Sequence, residues 1–415
     1  MIGWRAALAM QWRRRVATAA ACAFAGALTA IAGRQLPALL SAALLGAGIL
    51  GASLLLAWAA DALEVDVSGR LVIMVVTLVA VLPEATVEVQ LAFTRQAELV
   101  TANLTGATRL LLTAAIAMPA LGATLLRSRG QPVPPFAPNP ARRLDLAVLA
   151  LAAILALTLV ARGKLTLTAG VIFGALYLMY VLRGRGAEDE PPATIGVAAQ
   201  IAALDPATRR RLCGALLTGA AVAAFMTARA FPAELLRAGQ SLGISPYLLI
   251  QSVIPLFTET PELVVAITLT THRRPAQGVG LLLASAVTQS TLVLASVSVA
   301  YLLGGGGPAL PLSGRGQVEM LLTAATILMA VGALASLKPE PVDGWIITAA
   351  FGLQSVFTSW QARLFVALAL LTFAADILLS QRRFMRATFR AALPQSLRAL
   401  TSNQDPSEPT GSEAK

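Results

Sequence analysis

Two similar segments, LPEATVEV at residues 82–89 and TPELVVAI at residues 260–267, each place a Pro-Glu pair inside an apolar run. Their glutamates, Glu84 and Glu262, stand in opposite halves of the chain. A carboxylate at the centre of a bilayer costs about 3 kcal/mol on insertion scales, so it is retained there for a partner or a task. A proline lacks the backbone N–H and frees a carbonyl of the preceding turn. A broken helix with a carboxylate at the break, repeated in two halves, indicates an ion site near the membrane midplane.

Two further carboxylates accompany this pair. Glu88 follows Glu84 by four residues and Glu259 precedes Glu262 by three, so each pair shares one face of a helix. Four converging carboxylates suit a hard divalent cation such as calcium, which takes about six to eight oxygen ligands. They equally suit proton coupling, because like charges held close together favour proton uptake. The alternative is that Glu88 or Glu259 faces a pore mouth or pairs with an arginine.

Neutral oxygens for the same site are offered by polar residues inside neighbouring apolar runs. They are Thr258, Asn103 with Thr105 and Thr108, and Ser285 with Thr288 and Gln289. Hydrogen bonding between helices is the alternative use of these side chains, and Gly106 would allow two helices to approach closely. We therefore predict a site built from four carboxylates and four neutral residues: Glu84, Glu262, Glu88, Glu259, Thr258, Asn103, Ser285 and Gln289.

Charged residues elsewhere in the apolar runs need separate explanations. Arg109 must find an anion or extend to water, and it could pair with Glu84 or Glu88 and so fill part of the site. Four acidic residues stand near predicted span ends, where an interfacial position is expected: Glu98, Asp145, Glu234 and Glu319. The single histidine, His272, belongs to a THRR turn and is expected at the surface.

The composition is that of a membrane protein. Of 415 residues, 57% are hydrophobic and 13% charged, and the mean hydropathy is +0.73. Soluble domains carry about 25% charged residues. The net charge of +11 comes from arginine clusters between apolar runs, which indicates cytoplasmic loops on a lipid bilayer and no nucleic-acid partner. Two cysteines and one histidine do not predict a disulfide framework or a zinc site.

Runs of about twenty residues with little charge predict an all-α polytopic protein with about twelve transmembrane helices. The predicted spans are 16–33, 37–60, 70–93, 99–126, 144–161, 165–182, 211–230, 246–271, 276–303, 317–336, 343–359 and 361–380. The first span follows three arginines and also fits a signal peptide, but we favour a retained helix.

Lysine and arginine collect in alternate loops, which orients the chain with both termini in the cytoplasm. The helix with Glu84 then starts inside and the helix with Glu262 starts outside, so the halves are inverted repeats. The predicted units are an N-terminal helix (1–34), a first inverted repeat (35–187), a cytoplasmic linker with a short amphipathic helix at 194–204 (188–209), a second inverted repeat (210–360), an extra transmembrane helix (361–381) and a cytoplasmic tail (382–415).

Residues 44–84 and 216–262 resemble the lead-in and first motif of the calcium/cation antiporter superfamily, to which sodium/calcium exchangers belong. In those exchangers the motif is Gly-Thr-Ser-x-Pro-Glu, and a Gly-Asn-x-x-Gly-Ser-Asn segment follows. The resemblance covers residues 37–359, including two inverted five-helix repeats. It implies alternating access, Pro-Glu carboxylates shared by calcium and the competing ion, no cofactor and no enzymatic activity.

The resemblance also assigns residues. Glu84 and Glu262 match the central glutamates and Thr258 the threonine of the second motif; Asn103, Gly106 and Ser285 match the later segment, and Gln289 stands where an amide or carboxylate completes the site.

Departures from the family pattern bear on the counter-ion. Val79, Ala80 and Val81 replace Gly-Thr-Ser in the first repeat, and Glu259 stands where a serine is expected. Because sodium sites in the family use those hydroxyls, their loss, together with the extra glutamates, favours protons over sodium.

We therefore expect a secondary active antiporter in the plasma membrane of a bacterium, moving calcium or a related cation against protons or sodium. One alternative is a degenerate relative that no longer transports. Another is a membrane-embedded enzyme, which is disfavoured because the sequence has neither His-Glu-x-x-His nor Gly-x-Ser-x-Gly.

Overall fold

The computed structural model describes residues 2–66, 81–128, 142–183, 194–335 and 359–383, with a few single residues beside these ranges. The first part of predicted span 70–93 and almost all of span 343–359 lie outside them, as do Val79 and Ala80. The described chain is almost entirely helical.

The first half contains six helices. They are α1 (Ile2–Ala32), α2 (Ala38–Leu63), α3 (Leu82–Phe93), α4 (Ala97–Ser128), α5 (Arg143–Arg162) and α6 (Leu167–Arg183). The rest of the chain contributes α7 (Gly196–Ala202), α8 (Pro206–Ser241), α9 (Pro246–Thr258), α10 (Thr260–Thr271), α11 (Pro275–Thr288), α12 (Leu294–Tyr301), α13 (Gly314–Ala335) and α14 (Trp360–Ser380). A π-helical turn, Gln289–Val293, joins α11 to α12, so that the two form one long helix.

Within the described ranges, eight helices are long and apolar enough to cross a membrane, and the bent pair α9–α10 makes a ninth. The shorter α6 is also apolar. The predicted all-α membrane class is confirmed. The count of twelve spans is not confirmed and stays a prediction, as do the proposed domain boundaries.

The helices pack as two groups. In the first, α2 lies against α1 and α8, and its many small residues allow close contact. In the second, α4 is surrounded by α9, α11 and α13, while α13 also contacts α5 and α14. Because α4 has neighbours on several sides, polar residues along it are buried and must be satisfied by other helices.

The second Pro-Glu segment breaks its helix as the sequence predicts. The axis bends by 53° between α9 and α10, with Glu259 at the break. Pro261 has no N–H to donate to the preceding turn, and helical bonding resumes when the Leu263 N–H donates to the Glu259 carbonyl at 3.1 Å. In the first repeat, α3 starts at Leu82 with its proline in the first turn.

Two short strands join the halves of the chain, which the sequence did not predict. Strand β1 (Lys164–Thr166) follows α5, and β2 (Ala309–Pro311) precedes α13. They pair antiparallel, with Leu165 opposite Leu310. The two loops are therefore held together by main-chain hydrogen bonds.

The linker helix α7 lies within the amphipathic segment predicted at 194–204. Val197 and Ile201 on α7 are buried in a cluster with residues of α2 and α8. Arg209 fixes this contact: its Nε donates to Asp66 Oδ2 at 2.7 Å, and its Nη1 donates to the Ala202 carbonyl at 2.6 Å. The start of α8 is thereby tied to the end of α2.

Candidate functional site

Three carboxylates meet at the helix break. Glu84 lies in the first turn of α3, Glu259 at the bend and Glu262 in the first turn of α10. One oxygen from each lies within 4.8 Å of the other two. Glu84 is 3% exposed and Glu259 0%, whereas Glu262 is half-buried. At an effective dielectric constant near 20, each ionised pair repels by about 3.5 kcal/mol, so the group needs a cation or protons.

Gln289 bridges the two halves of this group. Its Nε2 donates to Glu84 Oε2 at 2.9 Å and to Glu259 Oε1 at 2.8 Å. Gln289 is the first residue of the π-helical turn, a local widening that often marks functional sites. Both hydrogens of the amide are directed at carboxylates, so its carbonyl oxygen also belongs to the site.

Glu88 and Asn103 form an adjacent pair. The Asn103 Nδ2 donates to Glu88 Oε1 at 2.9 Å, and the side chains are 2% and 0% exposed, respectively. Glu88 lies one turn beyond Glu84 on α3 and is not part of the three-carboxylate group. The structure thus brings three of the four predicted carboxylates together and holds the fourth beside them.

Several buried oxygens in this region have no hydrogen-bond partner among the described residues. They are Glu88 Oε2, Asn103 Oδ1, Glu259 Oε2, Glu262 Oε2 and Gln289 Oε1. Buried acceptors without a donor are uncommon in proteins and need an explanation. A set of oxygens with no donor directed at it is what a hard cation requires.

Arg109 does not fill the site: it neither pairs with Glu84 or Glu88 nor extends to water, the two alternatives that the sequence left open. Its Nη1 donates instead to Glu319 Oε2 on α13 at 2.8 Å. Glu319 is 0% exposed, so its predicted interfacial position is also wrong. Although Glu319 lies near the end of a predicted span, its carboxylate turns inward to a guanidinium that would otherwise be buried without an anion.

Two more residues complete this buried cluster. Gln251 on α9 donates through Nε2 to Glu319 Oε2 at 2.8 Å and accepts from Arg363 Nη1 at 2.6 Å. Arg363, on α14, also bonds to Glu319 Oε1. We call Arg109, Gln251, Glu319 and Arg363 the arginine–glutamate network; it joins α4, α9, α13 and α14.

The predicted hydroxyl ligands are not hydrogen-bonded to the carboxylates. Thr258 is buried, and its hydroxyl donates to the Ile254 carbonyl at 3.3 Å. Thr105 and Thr108 likewise donate to carbonyls of α4, at 2.7 and 2.9 Å. Ser285 is half-buried on α11, one turn before Gln289. A lone pair remains on each hydroxyl, but none is held toward the site by a hydrogen bond.

Gly106 serves the close helix approach that the sequence predicts. A Cβ added at Gly106 would overlap the backbone carbonyl of Gln251. The main chain of α9 therefore occupies the space that a side chain at position 106 would need. Pro255, four residues after Gln251, cannot donate to that carbonyl. The contact therefore involves a carbonyl of α9 that receives no hydrogen bond from the residue four positions later.

Among the other predicted surface residues, Glu98 and His272 are exposed as expected. Asp145 and Glu234 are 4% and 7% exposed, which corrects the interfacial prediction for both. Each is buried because a nearby arginine on the same stretch of chain bonds to it: Arg142 at 3.4 Å and Arg237 at 2.5 Å.

Sequence reasoning missed Gln251 and Arg363. Gln251 is a lone amide in the apolar run of α9, and Arg363 is a charge one turn inside α14. The feature that could have identified them in the sequence is the one that identified Arg109, namely a polar side chain inside an apolar helix.

Comparisons with known proteins find sodium/calcium and proton/calcium exchangers. A family model described as "Sodium/calcium exchanger protein" matches residues 37–183, which include the first Pro-Glu segment. The crystal structure of the H+/Ca2+ exchanger CAX is 29% identical to the chain, with a TM-score of 0.85, and the match covers 94% of this chain and 100% of CAX. Native YfkE, at 13% identity, has a TM-score of 0.61 over 83% of this chain and 98% of YfkE, a likeness of fold. A search of curated proteins finds no match.

The described chain is an all-helical membrane protein with a buried acidic cluster formed by residues from both halves of the chain. The family-model match and the likeness to CAX support the calcium/cation antiporter superfamily, which the Pro-Glu segments predicted. Its relatives are exchangers and antiporters, which supports a cation antiporter and confirms a transporter rather than an enzyme.

Proposed function

We propose that this antiporter exchanges calcium, or a closely related divalent cation, for protons at Glu84, Glu259 and Glu262. One observation carries the proposal: three carboxylate oxygens from both halves of the chain lie within 4.8 Å of one another. Among the residues that the structure describes, no lysine or arginine bonds to any of them.

The charge and donor set favour a divalent ion. Three carboxylates with the Gln289 carbonyl oxygen offer hard oxygen ligands with high negative charge, which calcium prefers. A sodium site of the family type would use hydroxyls, but Val81 has none and the Thr258 hydroxyl donates to its own helix.

The same crowding supplies a reason for proton coupling. When the divalent ion leaves, the three carboxylates lose the charge that held them together, and protons restore neutrality on the same oxygens. Cation and protons therefore exclude each other, which is the requirement for exchange. The 29% identical relative is by name an H+/Ca2+ exchanger, which supports this pairing.

Gln289 and the Glu88–Asn103 pair lie beside the three carboxylates and support the site. Gln289 donates to one carboxylate from each half of the chain, so its two hydrogen bonds depend on whether Glu84 and Glu259 are binding a cation. Glu88 lies one turn further along α3, where its carboxylate provides a second binding position for a cation or proton. The proposed roles of Thr258 and Ser285 are limited to donating a lone pair.

The test uses purified protein in liposomes, with calcium uptake followed under imposed proton, sodium and potassium gradients. We expect a proton gradient to drive uptake and sodium to drive it weakly. Glu84→Gln and Glu262→Gln should each lower the rate at least about 100-fold, since a neutral amide replaces little of the hydration calcium gives up.

The matched control is Glu98→Gln, because Glu98 is an exposed carboxylate on α4. It should transport at the wild-type rate. Calcium uptake that requires sodium and ignores pH would refute proton coupling. Wild-type rates in both central variants would refute the site itself.

A further inference from the structure

Three of the helices that are apolar enough to enter a membrane begin at the same end of the bundle, beside the arginine–glutamate network. Along α9 and α13, two contacts follow each other one turn apart: Tyr247 meets Arg315, and Gln251 meets Glu319. Arg363, in the first turn of α14, joins the second of these contacts. The starts of α9, α13 and α14 are therefore neighbours, and each contributes the partial positive charge of a helix N-terminus.

Arg315 adds a charge that no carboxylate among the described residues neutralises. Glu319 lies four residues further along α13, but both of its oxygens already accept hydrogen bonds: Oε1 from Arg363, and Oε2 from Arg109 and Gln251. Arg315 is half-buried, and its Nε has no hydrogen-bond partner in the described part of the chain. A charge that is partly removed from water without a counter-charge favours the binding of an anion.

Tyr247 supplies a second unsatisfied donor at the same place. Its side chain is 5% exposed, and no described residue bonds to its hydroxyl. The guanidinium carbon of Arg315 lies 3.6 Å from the centre of the Tyr247 ring, a cation–π contact that holds the two side chains together. A buried tyrosine hydroxyl usually finds a partner. The two touching side chains thus carry a buried O–H and a buried N–H that both lack an acceptor.

A ligand can reach these donors from the surface. Pro246, Gly314 and Trp360, the first residues of the three helices, are all exposed, although Tyr247 beside Pro246 is buried. Because the three helices are candidate membrane spans, their starts lie near a membrane surface, where phospholipid headgroups and dissolved anions are both present. An exposed tryptophan such as Trp360 is typical of that level.

We propose that Tyr247 and Arg315 form an anion site at the starts of α9, α13 and α14, which binds one phosphate group, either on a lipid headgroup or free in solution. The planar N–H donors of a guanidinium match two oxygens of a phosphate, and the tyrosine hydroxyl donates to a third. Ser245, which precedes α9, makes no side-chain cap, so the first-turn N–H groups of that helix are available to the same ligand. These residues lie outside the acidic site, and the proposal does not depend on which cation the protein exchanges.

Inorganic phosphate is the probe for a free ligand. Delipidated protein in detergent is titrated with sodium phosphate, and its thermal midpoint is compared with that in sodium chloride at equal ionic strength. The midpoint of the wild type should rise and saturate, as it does for a ligand that binds only the folded state. Tyr247→Phe and Arg315→Gln should each raise the apparent Kd about 10-fold, since a charge-assisted hydrogen bond is lost. The matched control is Arg162→Gln, an exposed arginine at the end of α5, which should behave as the wild type.

A second arm tests a lipid headgroup as the source of the phosphate. Short-chain phosphatidylglycerol replaces inorganic phosphate in the titration, and native mass spectrometry counts the phospholipids retained after purification in mild detergent. If the ligand is a headgroup, only the lipid gives the saturating shift, and the wild type and Arg162→Gln retain one phospholipid more than Tyr247→Phe or Arg315→Gln. If the ligand is free phosphate, inorganic phosphate gives the shift and all four proteins retain the same number of lipids.

Tyr247→Phe keeps the proposal testable if Arg315→Gln folds poorly, because it removes only the hydroxyl. Without phosphate or lipid, this variant should be at least as stable as the wild type, since a buried hydroxyl that lacks a partner costs free energy. With saturating ligand the order should reverse.

The anion site is overturned if neither ligand gives a saturating shift in the wild type, or if Tyr247→Phe and Arg315→Gln bind it as tightly as the wild type does. A general effect of phosphate on protein hydration would raise the midpoint equally in every variant without saturating, and it would also overturn the site. Loss of stability in delipidated Tyr247→Phe would show that the hydroxyl already has a partner.

Discussion

Replacing Glu319 by glutamine is the sharpest test of the packing around the site. Glu319 is 0% exposed, and Arg109, whose Nη1 bonds to it at 2.8 Å, is 4% exposed. Glutamine keeps the shape but removes the charge, and its amide hydrogens face donors. Breaking a buried ion pair by removing one partner costs about 3–5 kcal/mol. Glu319→Gln should therefore lower the stability of the protein by about that amount.

Glu319→Gln should also slow transport, because the arginine–glutamate network joins two helices that lead to the site. Arg109 lies on α4 with Asn103, and Gln251 lies on α9, which leads to Glu259. The assay is thermal unfolding of purified protein in detergent, where we expect the midpoint to fall by roughly 5–15 °C. Glu98→Gln, on the same helix as Arg109 but exposed, is the control and should leave the midpoint unchanged.

A double-mutant cycle isolates the ion pair from general damage. Arg109→Met alone should destabilise the protein, because it leaves the Glu319 carboxylate with one cation fewer. In the Glu319→Gln background the same change should cost little or should stabilise, since it removes a buried charge that has lost its partner. Additive effects of the two changes would refute the reasoning, as would a Glu319→Gln midpoint equal to that of the wild type.

Two further predictions concern helix contact and pH. Gly106→Ala should destabilise the protein and slow exchange, because the added Cβ overlaps the Gln251 carbonyl; Gly219→Ala, with open space around it, should do neither in the same thermal and transport assays. The hydrogen bond from Arg209 holds the pKa of Asp66 below its ordinary value of 3.8, so its stabilising effect is present above about pH 4 and is lost as the pH falls through the lowered pKa. Asp66→Asn should therefore weaken the protein at pH 7, and the gap from wild type in thermal midpoint should close on acidification; a gap that stays constant down to pH 3 would contradict this.

The local parts of the fold were predictable from the sequence because their causes are local. The Pro-Glu segments required a break, and the chain bends by 53° at Glu259. Apolar length gave most of the helices, and Gln289 stood out as an amide inside an apolar run. The break and the bridging amide both follow from residue type and position alone.

The contacts between distant helices were not predictable, because the sequence does not say which faces meet. From the sequence, Arg109 could either pair with Glu84 or Glu88 or extend to water. Its partner is Glu319, which the sequence placed near a span end. The two short strands escaped prediction for a similar reason, since a three-residue run such as KLT carries no periodicity.

The site also required information that no single segment holds. Which carboxylates meet depends on how α3 and α10 face each other, and the structure separates Glu88 from the group that Glu84 joins.

Two hydrogen bonds between the buried polar groups join residues that the ribosome synthesises at widely separated times. Gln289 reaches Glu84 across 205 positions, and Arg109 reaches Glu319 across 210. At about 5–20 residues per second, ribosomes take roughly 10–40 seconds to make such a stretch. During that interval the first half resides in the insertion machinery or the bilayer with its buried charges lacking the partners of the mature state. The second half is thus an assembly partner for the first. Until the second half is synthesised, Arg109 and Glu84 must be kept out of unfavourable contact with lipid by other means.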